Sequence, residues 1–280
     1  MRGARTPAAR SSAPRARFSL PVSGAAATLR HPTGAEDLLL AEFRADDPVL
    51  ALTLAERLGT IEPGMEWIEL PMPDIDTLIV RLRQGIAGNR VIADVTCAKT
   101  ECAQRIDLSF SLDAYLGHHR PRPGAVRGRD WRVERIPEAG FWYVLQARNT
   151  EDVRFRLPAL RDVLAVDGQA DPVAALAARC IRPGSLPARA RARVEAAMAL
   201  LAPPLAGPLQ GRCPDCGTPI AARFEARSYC LQELRDRARF VYDDIDVLAE
   251  RYHWTERAIL RLPHARRASY AERARQAQAG

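Results

Sequence analysis

The chain has 280 residues, of which 47% are hydrophobic, and this is enough to bury a core in one large or two small domains. This composition excludes a chain that is disordered throughout. The formal net charge is +7, but Lys99 is the only lysine among 41 basic residues, so a coding bias toward arginine can explain the excess without a nucleic-acid-binding role.

The first 18 residues consist mainly of Ala, Ser, Pro and Arg, and no acid precedes Glu36. This composition predicts a disordered basic arm over residues 1–18. A cleavable transit peptide has a similar composition, but the segment has no apolar signal core, which argues against secretion. No later apolar run approaches the roughly 20 residues that span a bilayer. We therefore expect a cytoplasmic protein without membrane contact.

Residues 19–119 are predicted to form a first half with strand, helix and cysteine-knuckle elements. Thr33-Gly-Ala-Glu36 is a capping-box pattern that starts one helix, and a second helix begins near Asp74. Residues 120–149 are rich in Pro, Gly and Arg and are predicted to be a linker with one possible strand at Phe141.

Residues 150–238 are predicted to form a second half with the same order of features. Asp47-Pro-Val-Leu-Ala-Leu in the first half corresponds to Asp171-Pro-Val-Ala-Ala-Leu in the second, and Ala188 to Leu201 is predicted to be a helix. Chance similarity between Ala/Leu-rich helices is the alternative for this upstream part. The sequence thus predicts an α+β fold, mostly helical, with two pseudo-symmetric strand-helix-knuckle halves that share a zinc-ribbon-like element.

Two cysteine pairs are the most specific signal in the chain. Cys97-x4-Cys102 and Cys213-x2-Cys216 are each followed by Ile, Phe and Tyr at +4, +8 and +13 from the second cysteine. Paired thiolates at this spacing suit a turn that holds a tetrahedral metal ion, most commonly zinc. Because zinc needs four ligands, we predict one structural Zn²⁺ per chain, shared by all four cysteines. Two free thiol pairs or a redox pair are the alternatives.

The remaining cysteines and the paired histidines are not predicted to be ligands. Cys180 and Cys230 lie in apolar helical contexts, where a free cysteine packs as a small hydrophobe. His118 and His119 precede a loop and are predicted to lie at the surface.

Residues 239–280 are predicted to be a C-terminal helical extension. Apolar spacing predicts a long amphipathic helix from Tyr229 to Tyr252, followed by two short helices that begin near Thr255 and Arg266. These short helices resemble a helix-turn-helix, in which Arg266 and Arg267 would contact phosphates. The preferred interpretation is an appendage that docks on a partner. Its predicted partner-binding residues are Tyr252, Trp254, Ile259, Leu260, Arg266 and Arg267.

The segment from Tyr252 to Pro263, with Arg266-Arg267 and Tyr270 after it, resembles baseplate and tail-assembly proteins of contractile phages and of phage-derived contractile injection systems. The stretch from Leu20 to Leu40 is similar to the opening of those proteins, and Cys213-Pro-Asp-Cys-Gly resembles their knuckle. The resemblance covers most of residues 19–272 and implies a structural or assembly role in the baseplate region. It implies other baseplate or tail proteins as partners, and incorporation of the protein into the assembled particle. The C-x4-C spacing of the first knuckle departs from the family's tight form.

No catalytic motif accompanies these features. The sequence has no Gly-rich phosphate loop, no serine nucleophile elbow and no paired His-carboxylate motif, so we predict neither an enzyme nor a small-molecule substrate. The alternatives to an assembly protein are a nucleic-acid-binding zinc-ribbon protein, which the charge distribution disfavours, and a cysteine-based redox protein.

Overall fold

The computed structural model describes residues 16–43, 47–136, 141–148 and 150–279. Helices make up about 48% of the chain and the strands form several small sheets, so the predicted mixed class is confirmed, with slightly less helix than a mostly helical fold. None of the described helices combines the length and the apolar composition that a membrane span needs. The helices are α1 (Gly34–Glu42), α2 (Asp47–Leu58), α3 (Met72–Ala87), α4 (Leu112–His118), α5 (Leu160–Val166), α6 (Pro172–Cys180), α7 (Ala188–Leu201), α8 (Ala226–Ala238), α9 (Val241–Tyr252), α10 (Glu256–Leu260) and α11 (His264–Ala279).

The strands form one three-stranded sheet, one five-stranded sheet and two separate hairpins, and all of their pairings are antiparallel. The three-stranded sheet has the order β1-β2-β3, the five-stranded sheet has the order β10-β9-β8-β7-β6, and β4-β5 and β11-β12 are the hairpins. The strands are β1 (Ala16–Ser19), β2 (Ala26–Leu29), β3 (Gly59–Ile61), β4 (Arg90–Thr96), β5 (Arg105–Ser111), β6 (Ala125–Arg127), β7 (Trp131–Arg135), β8 (Trp142–Ala147), β9 (Val153–Arg156), β10 (Ile181–Arg182), β11 (Ala206–Arg212) and β12 (Pro219–Glu225).

Two stretches of the chain contain their elements in the same order. From β2 to α4, and again from β9 to α8, a strand is followed by two helices, a short strand that pairs with the first strand, a third helix, a hairpin and a final helix. A 3-10 turn at Trp67–Glu69 is present in the first stretch. The third helices, α3 and α7, both begin after a proline N-cap, Pro71 and Pro187.

A buried carboxylate fixes the first helix of each stretch. Glu36 accepts the Thr33 backbone N–H at 2.8 Å and the Arg30 guanidinium at 2.8 Å. Asp162 in α5 likewise accepts the Ala159 backbone N–H at 3.0 Å and the Arg156 guanidinium at 2.7 Å. In both cases the acid at the third helical position satisfies a free N–H at the helix start, so the predicted capping box at α1 is confirmed.

The first hydrophobic core lies between α1, α2, α3 and the three-stranded sheet, and α8 completes it. Leu231 and Leu234 of α8 are buried in this core, and Glu233 binds Arg83 of α3 at 2.5 Å. The sequence places α8 in the second half, yet the helix packs against the first. The two halves therefore share a core instead of forming separate domains.

The second core lies between the five-stranded sheet and α7. Tyr143 and Phe155 stack with ring centroids 5.6 Å apart, and Val194 of α7 is fully buried in the same cluster. Strands β6, β7 and β8 lie within residues 120–149, so the predicted linker is wrong, while the strand predicted at Phe141 is present as β8. The described Pro, Gly and Arg residues of this stretch lie mainly in the connections between strands and at exposed strand positions, which a composition-based prediction cannot distinguish from a linker.

The structure tests the predicted disordered arm, residues 1–18, only at residues 16–18. Residues 16–18 belong to β1, which pairs with β2 through Ala16 and Leu29, so the arm does not extend to residue 18. Residues 1–15 lie outside the described part of the chain.

The C-terminal helices α9, α10 and α11 enclose a small core of their own that contains Leu248, Ile259 and Ala271. The predicted continuous helix from Tyr229 to Tyr252 is wrong, because the chain leaves helical geometry between α8 and α9 at Phe240. Helix α9 then ends at His253, which adopts a left-handed conformation with φ of +55°.

A buried ionic network attaches this small core to α1. Arg267 of α11 is fully buried, and its guanidinium binds Asp37 of α1 at 2.6 Å and Asp244 of α9 at 3.1 Å. His264 lies 3.1 Å from Asp37, and Arg275 binds Asp244 at 2.8 Å. Burial raises the pKa of Asp37, but hydrogen bonds from His264 and Arg267 lower it overall. The carboxylate therefore stabilises the fold at neutral pH, and this contribution is lost as acid protonates it.

We expect Arg267→Ala to destabilise the protein by about 3–5 kcal/mol, because the substitution leaves two buried carboxylates without their shared cation. Arg266→Ala is the matched control, since Arg266 is the adjacent residue and is exposed. The control should stay within about 0.5 kcal/mol of the parent. Urea unfolding measures both values, and equal stabilities of the two variants would contradict the network's role.

Candidate metal centre

The four cysteines of the two pairs lie at the tips of the two hairpins. Cys97 follows β4 directly and Cys213 follows β11 directly. Each of these residues donates its backbone N–H across the turn at 2.9 Å, Cys97 to the Gln104 carbonyl and Cys213 to the Thr218 carbonyl. The turn therefore brings both sulfurs of a pair to the same end of its hairpin.

The residue after the second cysteine adopts the same unusual conformation in both turns. Gly217 has φ of +70° and donates its N–H to the Cys213 carbonyl, as a glycine does without steric cost. Ala103 has φ of +43° and donates its N–H to the Lys99 carbonyl. The first knuckle therefore adopts the same left-handed turn with alanine in place of glycine. This shared turn lets the C-x4-C pair present its thiols as the C-x2-C pair does.

The sulfur atoms match the dimensions of a tetrahedral zinc site. Sγ of Cys97 lies 3.6 Å from Sγ of Cys216, and Sγ of Cys102 lies 3.8 Å from Sγ of Cys213. All four sulfurs lie within 4.8 Å of one another. Four sulfurs at ~2.3 Å from one zinc ion are about 3.8 Å apart at tetrahedral angles. The predicted ligand cluster is thus confirmed as a group of four cysteines that is compatible with a metal site.

The thiols differ in acidity and exposure. Thr218, through its hydroxyl and its backbone, lowers the pKa of Cys216 to about 6, and Cys216 is exposed. The backbone bond with Gln104 lowers the pKa of Cys102, but desolvation and the three neighbouring thiols raise it overall to about 12. Metal binding must remove the protons of such thiols, so binding is coupled to proton release and strengthens as the pH rises.

Both of the short sulfur-sulfur distances join one hairpin to the other. They exceed the S–S bond length of about 2.05 Å, and all six cysteines are free. Four thiolates fill a tetrahedral zinc ion and leave no open position, which is the arrangement of a structural site. This arrangement can clamp the two hairpins together.

An aromatic cluster lies between the same two hairpins. Phe110 of β5 meets Phe224 of β12 edge-on with centroids 5.0 Å apart, and Tyr115 and Tyr229 pack on Phe224 at 5.1 and 5.2 Å. These residues are the +8 and +13 partners of the cysteines. Their spacing in the sequence therefore reflects a shared hydrophobic contact at the end of the hairpins that lies away from the thiols.

The other predicted roles of cysteine and histidine are largely confirmed. Cys180 and Cys230 are buried, as expected for small core residues. His118 is exposed at the end of α4, while His119 is half-buried against the ring of Tyr115. Among the described residues, the metal-compatible group contains the four cysteines and no histidine.

The predicted partner-binding residues fall into two groups. Tyr252 and Trp254 stack at 5.0 Å and are half-buried, Leu260 is half-buried, and Arg266 is exposed. Ile259 and Arg267 are fully buried, so the prediction that they contact a partner or a phosphate is wrong. Sequence reasoning also missed Asp37, Asp244 and His264, whose roles depend on contacts between distant segments.

Comparisons of the chain with protein-family models, with curated proteins and with solved structures found no match. The geometry of the site and the sequence patterns are therefore the basis for its interpretation.

We expect purified protein to contain one zinc ion per chain and to lose it when Cys213 is replaced by serine. Since metal binding stabilises the folded state, Cys213→Ser should remove several kcal/mol, which corresponds to a fall in melting temperature of about 10 °C. Elemental analysis and thermal unfolding measure these effects. Chelator-treated parent protein is the control and should melt near the variant. Zinc-free protein with four freely titrating knuckle thiols would contradict the site.

Proposed function

We propose that the protein is a non-catalytic assembly component of the baseplate region of a phage-like contractile particle, stabilised by one Zn²⁺. The observation that carries the structural role is the four-cysteine cluster, because it links residues 111 and 119 positions apart in the sequence. Four thiolates leave zinc without a substrate position. The sequence resemblance to baseplate and tail-assembly proteins supports the proposal that the protein belongs to such a particle.

We further propose that the two halves are pseudo-symmetric repeats and that their hairpins together form a zinc-ribbon-like element. The common element order, the carboxylate that caps α1 and α5, and the left-handed residue after each second cysteine support this proposal. An experimental structure in which the two hairpins and their following helices do not superpose would contradict it.

The partner surface that we propose lies on the C-terminal helices. The rings of Tyr252 and Trp254 are partly accessible, Tyr270 packs edge-on against Trp254 at 5.2 Å, and Arg266 is exposed nearby in the sequence. Aromatic residues and arginine are the types that dominate binding energy at protein interfaces. Removing the whole region is a poor test, because Ile259 and Arg267 also complete the fold.

We expect Trp254→Ala with Arg266→Glu to abolish co-purification with sheath, tube and baseplate proteins of the proposed particle, while the melting curve stays cooperative. Loss of two anchors of this kind should weaken binding by on the order of a hundredfold. Arg57→Glu, at an exposed position on α2, is the control for charge reversal and should leave co-purification unchanged. The assembly proposal would be contradicted if the parent protein bound none of these components.

A further inference from the structure

The five-stranded sheet has one face in the core and one face in solvent. Val133, Leu145 and Phe155 point into the core with α7. The residues between them in each strand form the outer face, and most of them are exposed. The outer-face residues are Ala125, Arg127, Arg132, Glu134, Trp142, Val144, Gln146, Arg154, Arg156 and Arg182, of which Arg156 is buried and pairs with Asp162.

Two pairs of arginines lie directly opposite each other on this outer face. Arg154 of β9 is the register partner of Arg182 of β10, and Arg127 of β6 is the partner of Arg132 of β7. All four are exposed. Like charges at directly opposed positions destabilise an antiparallel pair, since their Cβ atoms are only about 5 Å apart. Folding alone therefore does not favour these residues.

No carboxylate neutralises these four cations. Among the residues that the structure describes, none of them has an ion pair. Arg132 donates to the Gln146 side chain at 2.9 Å, and Arg182 donates to the backbone carbonyls of Ala178 and Ile181 at 2.6 and 2.8 Å. This differs from the helical arginines, many of which pair with acids.

The three-stranded sheet has a pair of threonines at the positions that correspond to the arginine pair of β9 and β10. Thr28 of β2 is the register partner of Thr60 of β3, and their hydroxyls are 2.5 Å apart. Arg30 and Arg156 each lie six positions before the acid that caps the following helix, Glu36 or Asp162. Thr28 of β2 and Arg154 of β9 both lie two positions before these arginines, so they occupy equivalent positions. A threonine pair is a favourable cross-strand pair. The arginine pair is thus a local departure that a bound anion would make favourable.

An aromatic ring lies on the same face. Trp142 of β8 is half-buried, and the guanidinium carbons of Arg156 and Arg182 lie 5.7 and 5.9 Å from its ring centroid. Arginine planes and aromatic rings are the groups on which the bases of single strands stack, and arginine forks bind phosphate oxygens. Among the described strand residues of the outer face, Glu134 is the one acid, against four arginines without an ion pair; Arg156 pairs with Asp162, and Gln146 donates to Asp152.

We propose that this arginine face binds single-stranded nucleic acid through its phosphate backbone, with little sequence preference. An exposed sheet face that combines arginines with an aromatic ring suits single strands, because it can contact their phosphates and their unstacked bases together. The sequence disfavoured a nucleic-acid partner because a coding bias toward arginine can explain the net charge. The fold places four of these arginines together on one face of a sheet. The proposal is independent of the assembly role and adds a second ligand to the molecule.

The test is fluorescence anisotropy of the full-length chain with labelled 20-nucleotide oligo(dT) and oligo(U) over a series of KCl concentrations. Binding should weaken linearly on a log-log plot as counterions are released, with a slope of about −0.7 per phosphate contact. Arg154→Thr with Arg182→Thr copies the pair found in the other sheet, so it should preserve the fold. We expect this variant to bind on the order of tenfold more weakly at 0.1 M salt and to reduce the slope by about 1.4.

Two controls distinguish binding at the arginine face from a general effect of positive charge. Arg57→Thr with Arg251→Thr removes the same charge from exposed helical positions, and it should bind as the parent does. A variant without residues 2–15 should still bind and should still respond to the threonine pair. Failure of the parent to bind either oligonucleotide at low salt overturns the proposal, as does equal weakening by the helical control. Binding of a poly-glutamate peptide without oligonucleotide binding overturns it in favour of an acidic protein ligand.

Discussion

The closure of two distant hairpins onto one cluster of thiols is the constraint on which the arrangement of the molecule depends. The sulfurs that approach to 3.6 and 3.8 Å come from opposite hairpins, so neither hairpin alone supplies a complete ligand set. Phe110 and Phe224 hold the same two hairpins together at the opposite end from the sulfurs. Because α8 follows the second hairpin directly, fixing that hairpin also fixes the helix that completes the first core.

The sequence predicted what depends on short-range spacing. Cysteine pairs at two and four intervening residues predict a turn with convergent thiols, and the acid three positions after Thr33 predicts a helix start. Both patterns depend on neighbouring residues, so tertiary structure does not change their meaning. The structure bears out both. The matched +8 and +13 positions also pack together, because residues after a hairpin tip extend along the same strand and helix.

The errors arose where a residue's environment comes from remote segments. Arginine is usually a surface residue, so the sequence predicted that Arg267 is exposed. Its burial depends on Asp37, 230 positions away, and on Asp244, which bind its guanidinium. Strands β6 and β7 were missed, and β8 was predicted only as one strand within a linker, because pairing between strands, and not the turn-rich composition, determines the sheet. Phe240 ends one helix and precedes the next within a continuous apolar pattern, since the following helix turns to pack with α11. In each case contacts with remote segments, which the local sequence does not reveal, decided the result.

The position of the two cysteine pairs has a consequence for biosynthesis. On a ribosome that adds about 5–20 residues per second, the 111 residues from Cys102 to Cys213 take roughly 6–22 s to synthesise. During this interval the emerging first pair has only two of its four ligands, and the first core lacks the apolar face of α8. The early part of the chain therefore waits, with exposed apolar surface and reactive thiols, for its later part. Chaperones and metal supply would act in this interval, before the last helices leave the exit tunnel.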